Sequence, residues 1–230
     1  MMFIISLSLI SASSFAATKK LTVLLDWYLN PDHAPLFVAE QYGFFKQQGL
    51  DVKLVSPTDP ADPLKLVAAG KADIAITYQP TLLIAVNAGL PIVRIGTLIP
   101  TPLNSLTVLK SSDIHTIADL KGKKIGYSVD GTDHALLDTM LASGGLTEKD
   151  VILVNVHYGL TQALMSHQVD AVTGITRTFE PFEMADNGQP ARLFNYEDYG
   201  VPLYDELIFV TRQDELTDPR LSQFLAALTK

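Results

Sequence analysis

The chain has 230 residues, 47% of them hydrophobic, with a formal charge of -8 and no cysteine. That length is enough for one large domain or two small ones, each with a real core. The acidic balance, without a Lys/Arg-rich stripe, argues against a nucleic-acid partner, and the lack of cysteine excludes disulfides, thiolate metal sites, cysteine nucleophiles and a lipid-modified cysteine.

Residues 1–16 read as an export signal: an apolar run from Phe3 to Ile10, then small residues and Ser14-Phe15-Ala16, with cleavage expected before Ala17. The run is too short to span a bilayer. No Lys or Arg precedes it, a departure from the usual signal, and the competing reading is a buried N-terminal strand. Export without a lipid anchor implies a soluble protein of the periplasm.

From there, short β-rich runs alternate with helical patterns. The runs are "LTVLLDW", "DVKLVS", "ADIAIT", "KKIGYS", "VILVNV", "VDAVTGI" and "ELIFVT". Proline after Asp62, Gln79, Glu180 and Asp218 marks helix starts, and Gly49, Gly70, Gly89 and Gly188 fall where left-handed C-terminal caps are expected. This order predicts an α/β fold with mainly parallel sheets.

The order also repeats. Gly49-Leu50 and Gly145-Leu146 each follow a helix end and precede a strand, 96 residues apart. Asp73 and Asp170 each lead an apolar strand, 97 apart, and "HAPL" at 33 has a counterpart "HALL" at 134. Three pairs in order at nearly one offset predict two similar lobes: lobe 1 over 17–106, lobe 2 over 107–204, and a return of 205–230 to lobe 1. The final helical pattern ends as though ready to continue, so a truncated first lobe is expected.

In open α/β sheets, ligands bind beyond the carboxyl ends of the strands. Trp27, Tyr28, Asn30 and His33 follow the first strand, Tyr78 and Gln79 the third. Gly131 and Thr132 hold the matching place in lobe 2, and Glu180 follows "VDAVTGITRTF". Aromatic faces suit a ring, and the polar groups offer directional hydrogen bonds. Plainer readings stand beside these: Trp27 as core, His33 as a helix cap, Glu180 as an N-cap. No phosphate loop, nucleophile elbow or metal-ligand spacing is present, so a two-lobed binder without cofactor or metal is expected rather than an enzyme.

"LLDWYLNPDHAPLFVAEQYGFFKQQGLDVKLV", "AAGKADIAIT", "AGLPIVRIG", "IADLKGKKIGYS" and "VDAVTGI" resemble the solute-binding proteins of bacterial ABC importers. The similar branch binds thiamine pyrimidine precursors such as formylaminopyrimidine and is related to yeast-type hydroxymethylpyrimidine phosphate synthase. The resemblance covers residues 20–230, and its most telling piece is Trp27 to Pro35. It implies the two-lobed periplasmic binding protein type II fold, hinge closure on an aminopyrimidine, a permease and its ATPase as partners, and a monomer. Relatives on this scaffold bind aliphatic sulfonates, taurine, nitrate or riboflavin precursors. The related synthase uses a lysine that holds pyridoxal phosphate and a histidine; Thr77 and Thr81 occupy those positions here, and its cysteine motif is replaced by "YGVPLYD". Asp26, Asp32, Asp130 and Asp133 near the expected cleft, with Arg177 as the one cation, favour an amine-bearing ligand over an anion.

Overall fold

The computed structural model describes residues 18–230, so the expected export signal lies outside the described residues. The first sheet is built from β1 (Lys19–Leu24), β2 (Leu50–Val55), β3 (Ile74–Thr77) and β4 (Ile92–Ile99), joined by α1 (Ala34–Gln41), α2 (Phe44–Gln47), α3 (Pro63–Ala68) and α4 (Gln79–Asn87). The second contains β5 (Asn104–Leu109), β6 (Lys124–Tyr127), β7 (Ile152–Asn155), β8 (Ala171–Thr176) and β9 (Ala191–Asn195), with α5 (Thr132–Ser143), α6 (Leu160–Met165) and α7 (Glu180–Asp186). Finally β10 (Leu207–Arg212) and α8 (Pro219–Leu228) return to the first sheet.

The two sheets have matching orders, β2-β1-β3-β10-β4 and β7-β6-β8-β5-β9. In each, β10 or β5 runs antiparallel to both neighbours while the other strands share one direction. The sheets are therefore mixed. The reversed strand is in each case the one that arrives from the opposite lobe. The chain crosses to the second sheet through 100–103, and Thr107 lies inside β5. It comes back through 196–206.

The repeated aspartates explain part of this likeness. Asp73 accepts the Thr22 N–H at 2.7 Å while its own N–H donates to the Thr22 carbonyl at 3.0 Å. Asp170 does the same with Lys124, at 2.8 Å each way. Asp73 thus fastens the start of β3 to β1, and Asp170 the start of β8 to β6. Asp73 also pairs with Arg220 at 2.9 Å, and its bond is partly buried. Asp73→Ala is expected to cost about 1–2 kcal/mol, and Asp170→Ala, with its exposed bond, less. Urea titration of both variants checks this; equal midpoints would contradict the added weight given to Asp73.

Helix starts follow the prolines. Pro63 and Pro219 are first helical residues, while α4 and α7 begin one residue earlier, at Gln79 and Glu180. The expected cap glycines all have positive φ, for example +67° at Gly70. Three strands had no counterpart in the sequence reading: β4, β5 and β9. In β4, Gly96 sits beside a register shift against β10, and a Cβ there would lie 2.8 Å from the Leu225 side chain of α8. The first core packs Phe45, Phe209 and Phe224 together, with Phe45 and Phe224 stacked at 5.5 Å. In α8, Leu221, Phe224 and Ala227 face inward at helical spacing. Among the described residues no helix is long and apolar enough to cross a membrane.

Candidate functional site

The corner after β1 is held by a local turn. Asn30 accepts the Asp32 N–H at 2.9 Å and donates through Nδ2 to the Tyr28 carbonyl at 3.0 Å. Its own N–H donates to His33 Nδ1 at 3.3 Å, which leaves Nε2–H to donate to Asp26 Oδ1 at 2.9 Å. The other oxygen of Asp26 accepts from the Tyr78 hydroxyl, also at 2.9 Å. Asp26 and His33 are both buried, and a buried carboxylate needs such donors to offset its desolvation. Burial pushes the Tyr78 hydroxyl well above the ordinary tyrosine range, with Asp26 adding to the effect, so it stays a proton donor.

This carboxylate borders a cavity of about 320 Å³ between the two lobes. Leu64, Ile76, Ile84 and Ala85 supply apolar wall. Asp26, Thr77, Tyr78 and Thr81 supply polar groups from the first lobe, and Val129, Asp130 and Thr132 close the far side. Thr81 and Thr132 hydroxyls meet across the lobes at 2.8 Å. Lys65 reaches the cavity from the rim with a largely exposed side chain, 4.0 Å from Asp62. The size and the mostly apolar lining with a few convergent polar groups suit a small ring.

Of the residues singled out in the sequence, Tyr78 and Thr132 line this cavity. Trp27 and Asn30 border only an adjoining space of about 10 Å³. His33 is committed to Asn30 and Asp26. Gln79 is turned away, its Oε1 accepting the Asp205 N–H at 2.7 Å. Gly131 lies at the head of α5 and does not line the cavity.

Trp27 packs into a cluster made largely of second-lobe residues, among them Leu160, Leu164 and Ile175. Its ring meets Tyr158 edge-on at 4.7 Å, and Tyr28 contacts Tyr158 and Phe179 at 6.2 and 6.3 Å. Glu180 is buried beside this group. It accepts from Thr176 N–H at 2.6 Å and Thr161 Oγ1 at 3.1 Å, yet burial still pushes its carboxyl up to about 7. Burial, with Glu180 adding, raises Tyr28 to about 12.

Sequence reasoning passed over two groups. Asp26 counted there only as negative charge, and Glu206 not at all. Glu206 accepts from Leu103 N–H, Asn104 N–H, Asn104 Nδ2 and Tyr204 Oη at 2.5–3.1 Å. It therefore ties the returning crossover to the outgoing one. Arg177 is likewise occupied: it donates to the Leu103 and Asn104 carbonyls and forms a bidentate pair with Glu197 at 2.7 and 2.9 Å. The one cation expected near the cleft is spent on the crossover rather than offered to an anion.

Two mixed α/β lobes around a cavity at the strand ends define the fold of periplasmic binding proteins. Solved structures agree: the alkanesulfonate-binding protein SsuA of Xanthomonas axonopodis pv. citri, bound to MOPS, matches with a TM-score of 0.72 at 24% identity, covering 93% of this chain and 73% of its own. The periplasmic aliphatic sulphonate binding protein SsuA of Escherichia coli matches at 0.69 and 18% identity, covering 91% and 67%. The family model described as NMT1/THI5 like matches residues 30–230, and the chain belongs to that family. A Haemophilus influenzae relative named for thiamine biosynthesis is 53% identical over 92% of this chain and 68% of its own length. The formylaminopyrimidine-binding protein of Halalkalibacterium halodurans is 35% identical over 92% and 64%. A 4-amino-5-hydroxymethyl-2-methylpyrimidine phosphate synthase of Uromyces fabae is 30% identical over 88% and 62%. This chain thus spans about two thirds of the length of these relatives.

Proposed function

We propose that the chain is the solute-binding component of an ABC importer, capturing a thiamine pyrimidine precursor in the periplasm and delivering it to a permease driven by its ATPase. The observation that carries this reading is the interlobe cavity with the Asp26 carboxylate at its edge. A carboxylate fixed by His33 and Tyr78 accepts from an exocyclic amine, and the apolar walls take the ring. The formylaminopyrimidine-binding relative supports the ligand class. The crossovers at 100–103 and 196–206 serve as hinges, and the protein works as a monomer. Synthase chemistry is disfavoured because Thr77 and Thr81 stand at the positions of the enzyme's lysine and histidine, bringing hydroxyls to the cavity in place of an amine and an imidazole.

Thermal-shift measurements with aminopyrimidines, sulfonates and nitrate test this. A ligand at one hundred times its Kd stabilises by about 2.7 kcal/mol, so an aminopyrimidine is expected to raise the melting temperature while the anions do not. Stabilisation by sulfonates alone would overturn the ligand class, and consumption of an added pyrimidine the binding role.

A second placement of the ring is favoured by the Trp27, Tyr28, Tyr158 and Phe179 group with the Glu180 carboxyl beside it. On lobe opening these faces form a slot for the same ligand, with Glu180 as amine acceptor and Trp27 as ring platform. Here Glu180→Gln weakens aminopyrimidine binding while Asp26→Asn leaves it unchanged; the cavity placement expects the reverse.

A further inference from the structure

The turn between β7 and α6 points one side chain across the lobes. His157 has a φ of +48°, in the left-handed region that a residue with a Cβ adopts at a cost. Its carbonyl accepts from Ser128 Oγ at 2.6 Å and its N–H donates to Asn155 Oδ1 at 2.9 Å, so the turn is held from both sides. Gly159 closes it with a bond to the Val156 carbonyl at 2.8 Å. The residue so presented is Tyr158. Its hydroxyl donates to the Pro57 carbonyl of the first lobe at 2.9 Å, and its ring packs against Trp27 and Tyr28. Beside it His157 Nδ1 lies 3.7 Å from Asp59 of the first lobe, and among the described residues two further hydrogen bonds join the lobes away from it: Thr81 to Thr132, and Thr178 Oγ1 to Asp32 at 2.9 Å.

We propose that Tyr158 is the latch of lobe closure, a positioning residue of the second lobe that grips the Pro57 strap and the Trp27–Tyr28 corner of the first. Three features single it out among the cross-lobe contacts. Among the described residues it alone combines a hydrogen bond to a backbone acceptor, fixed in place by the first lobe's main chain, with aromatic packing on the same partner lobe. It sits on a turn with a left-handed residue. And it covers Trp27, the chain's only tryptophan, which is 7% exposed. Opening the lobes therefore withdraws the Tyr158 ring and uncovers the indole, and tryptophan emission reports the closure equilibrium with no ligand added.

The test uses the full chain without ligand: tryptophan emission, acrylamide quenching and small-angle scattering of wild type, Tyr158→Phe, Tyr158→Ala and Thr178→Ala. Tyr158→Ala is expected to move Trp27 emission to longer wavelength, raise its quenching constant severalfold and enlarge the radius of gyration. Tyr158→Phe, which keeps the ring and loses the Pro57 bond, and Thr178→Ala are expected to shift all three in the same direction by less. Unchanged quenching and radius in Tyr158→Ala would overturn the latch. So would increased quenching at constant radius, which would mean local loosening around the indole. If Tyr158→Ala does not fold, Tyr158→Phe decides: a wild-type radius and quenching constant sinks the proposal. None of these readouts depends on which solute binds, so failure here is distinct from failure of the transport reading.

Discussion

Asp26→Ala is expected to destabilise the protein by roughly 2–4 kcal/mol, because it orphans the buried His33 donor, at about 1–3 kcal/mol, and removes the bond of the half-buried Tyr78 hydroxyl, at about 1 kcal/mol. The His33 ring is wholly buried, and its Nε2–H makes no other hydrogen bond among the described residues than the one to Asp26 at 2.9 Å. The Tyr78 hydroxyl loses its only hydrogen bond among the described residues. Asp26→Asn separates stability from binding. Its amide oxygen still accepts from His33, and the Tyr78 hydroxyl rotates to accept from the amide, so the fold survives at smaller cost. The charge, however, is gone. With the ring in the cavity, aminopyrimidine affinity is expected to fall by roughly ten- to hundredfold, each factor of ten being about 1.4 kcal/mol. Urea titration and calorimetric titration of both variants measure the two effects. Full aminopyrimidine affinity in a folded Asp26→Asn protein would reduce Asp26 to a purely structural role.

Stability is expected to be greatest near pH 5 and to fall as the pH rises toward 8. Burial pushes three carboxyls up: Asp133 to about 6, Glu180 to about 7 and Glu206 to about 7. A carboxyl whose folded pKa exceeds its unfolded one holds its proton longer in the native state. Its contribution is fully present below the unfolded value near 4 and is lost as the pH climbs through the folded value. Glu180 and Glu206 each account for a change on the order of 2–3 kcal/mol across that window. Asp218 and Glu197, held low by Arg220 and Arg177, act in the opposite sense and lose their contribution only as the medium becomes strongly acid. Glu206→Gln should flatten the profile between about pH 5 and 7, since the amide does not titrate. A melting temperature that rises steadily from pH 5 to 8 in wild type, or an unaltered slope in Glu206→Gln, would refute this account.

What was legible in the sequence was local. Proline at helix starts and glycine at helix ends act within a few residues, so their pattern survives in one dimension; Asp73 and Asp170, whose bonds reach back to Thr22 and Lys124, were legible only because the motif recurs 97 residues apart. The corner from Trp27 to His33 stood out because two aromatics and several polar groups crowd a strand end. Where those side chains go was less legible. The second bond of Asp26 reaches Tyr78, and the partners of Glu206 lie about one hundred residues earlier in the chain. Trp27 is governed by Tyr158 and the second-lobe cluster, which nothing next to it announces. Among the strands, β4 was obscured by Gly96, which reads as an interruption until Leu225 is seen packed over it. β9 is short, and Arg192 within it breaks the apolar run.

The exchanged strands β5 and β10 also make the two lobes unequal in how far apart in the chain their partners lie. All five strands of the second sheet come from the uninterrupted stretch 104–195. The first sheet is in two pieces: β3 pairs with β10, Thr77 opposite Ile208, and the helix that covers the phenylalanine core ends at Leu228. Closing a loop of that size carries an entropic cost before any contact offsets it. The second sheet thus closes within one stretch of chain, whereas Ala75, Ile76 and Thr77 of the first have their neighbour only in a strand some 130 residues further on.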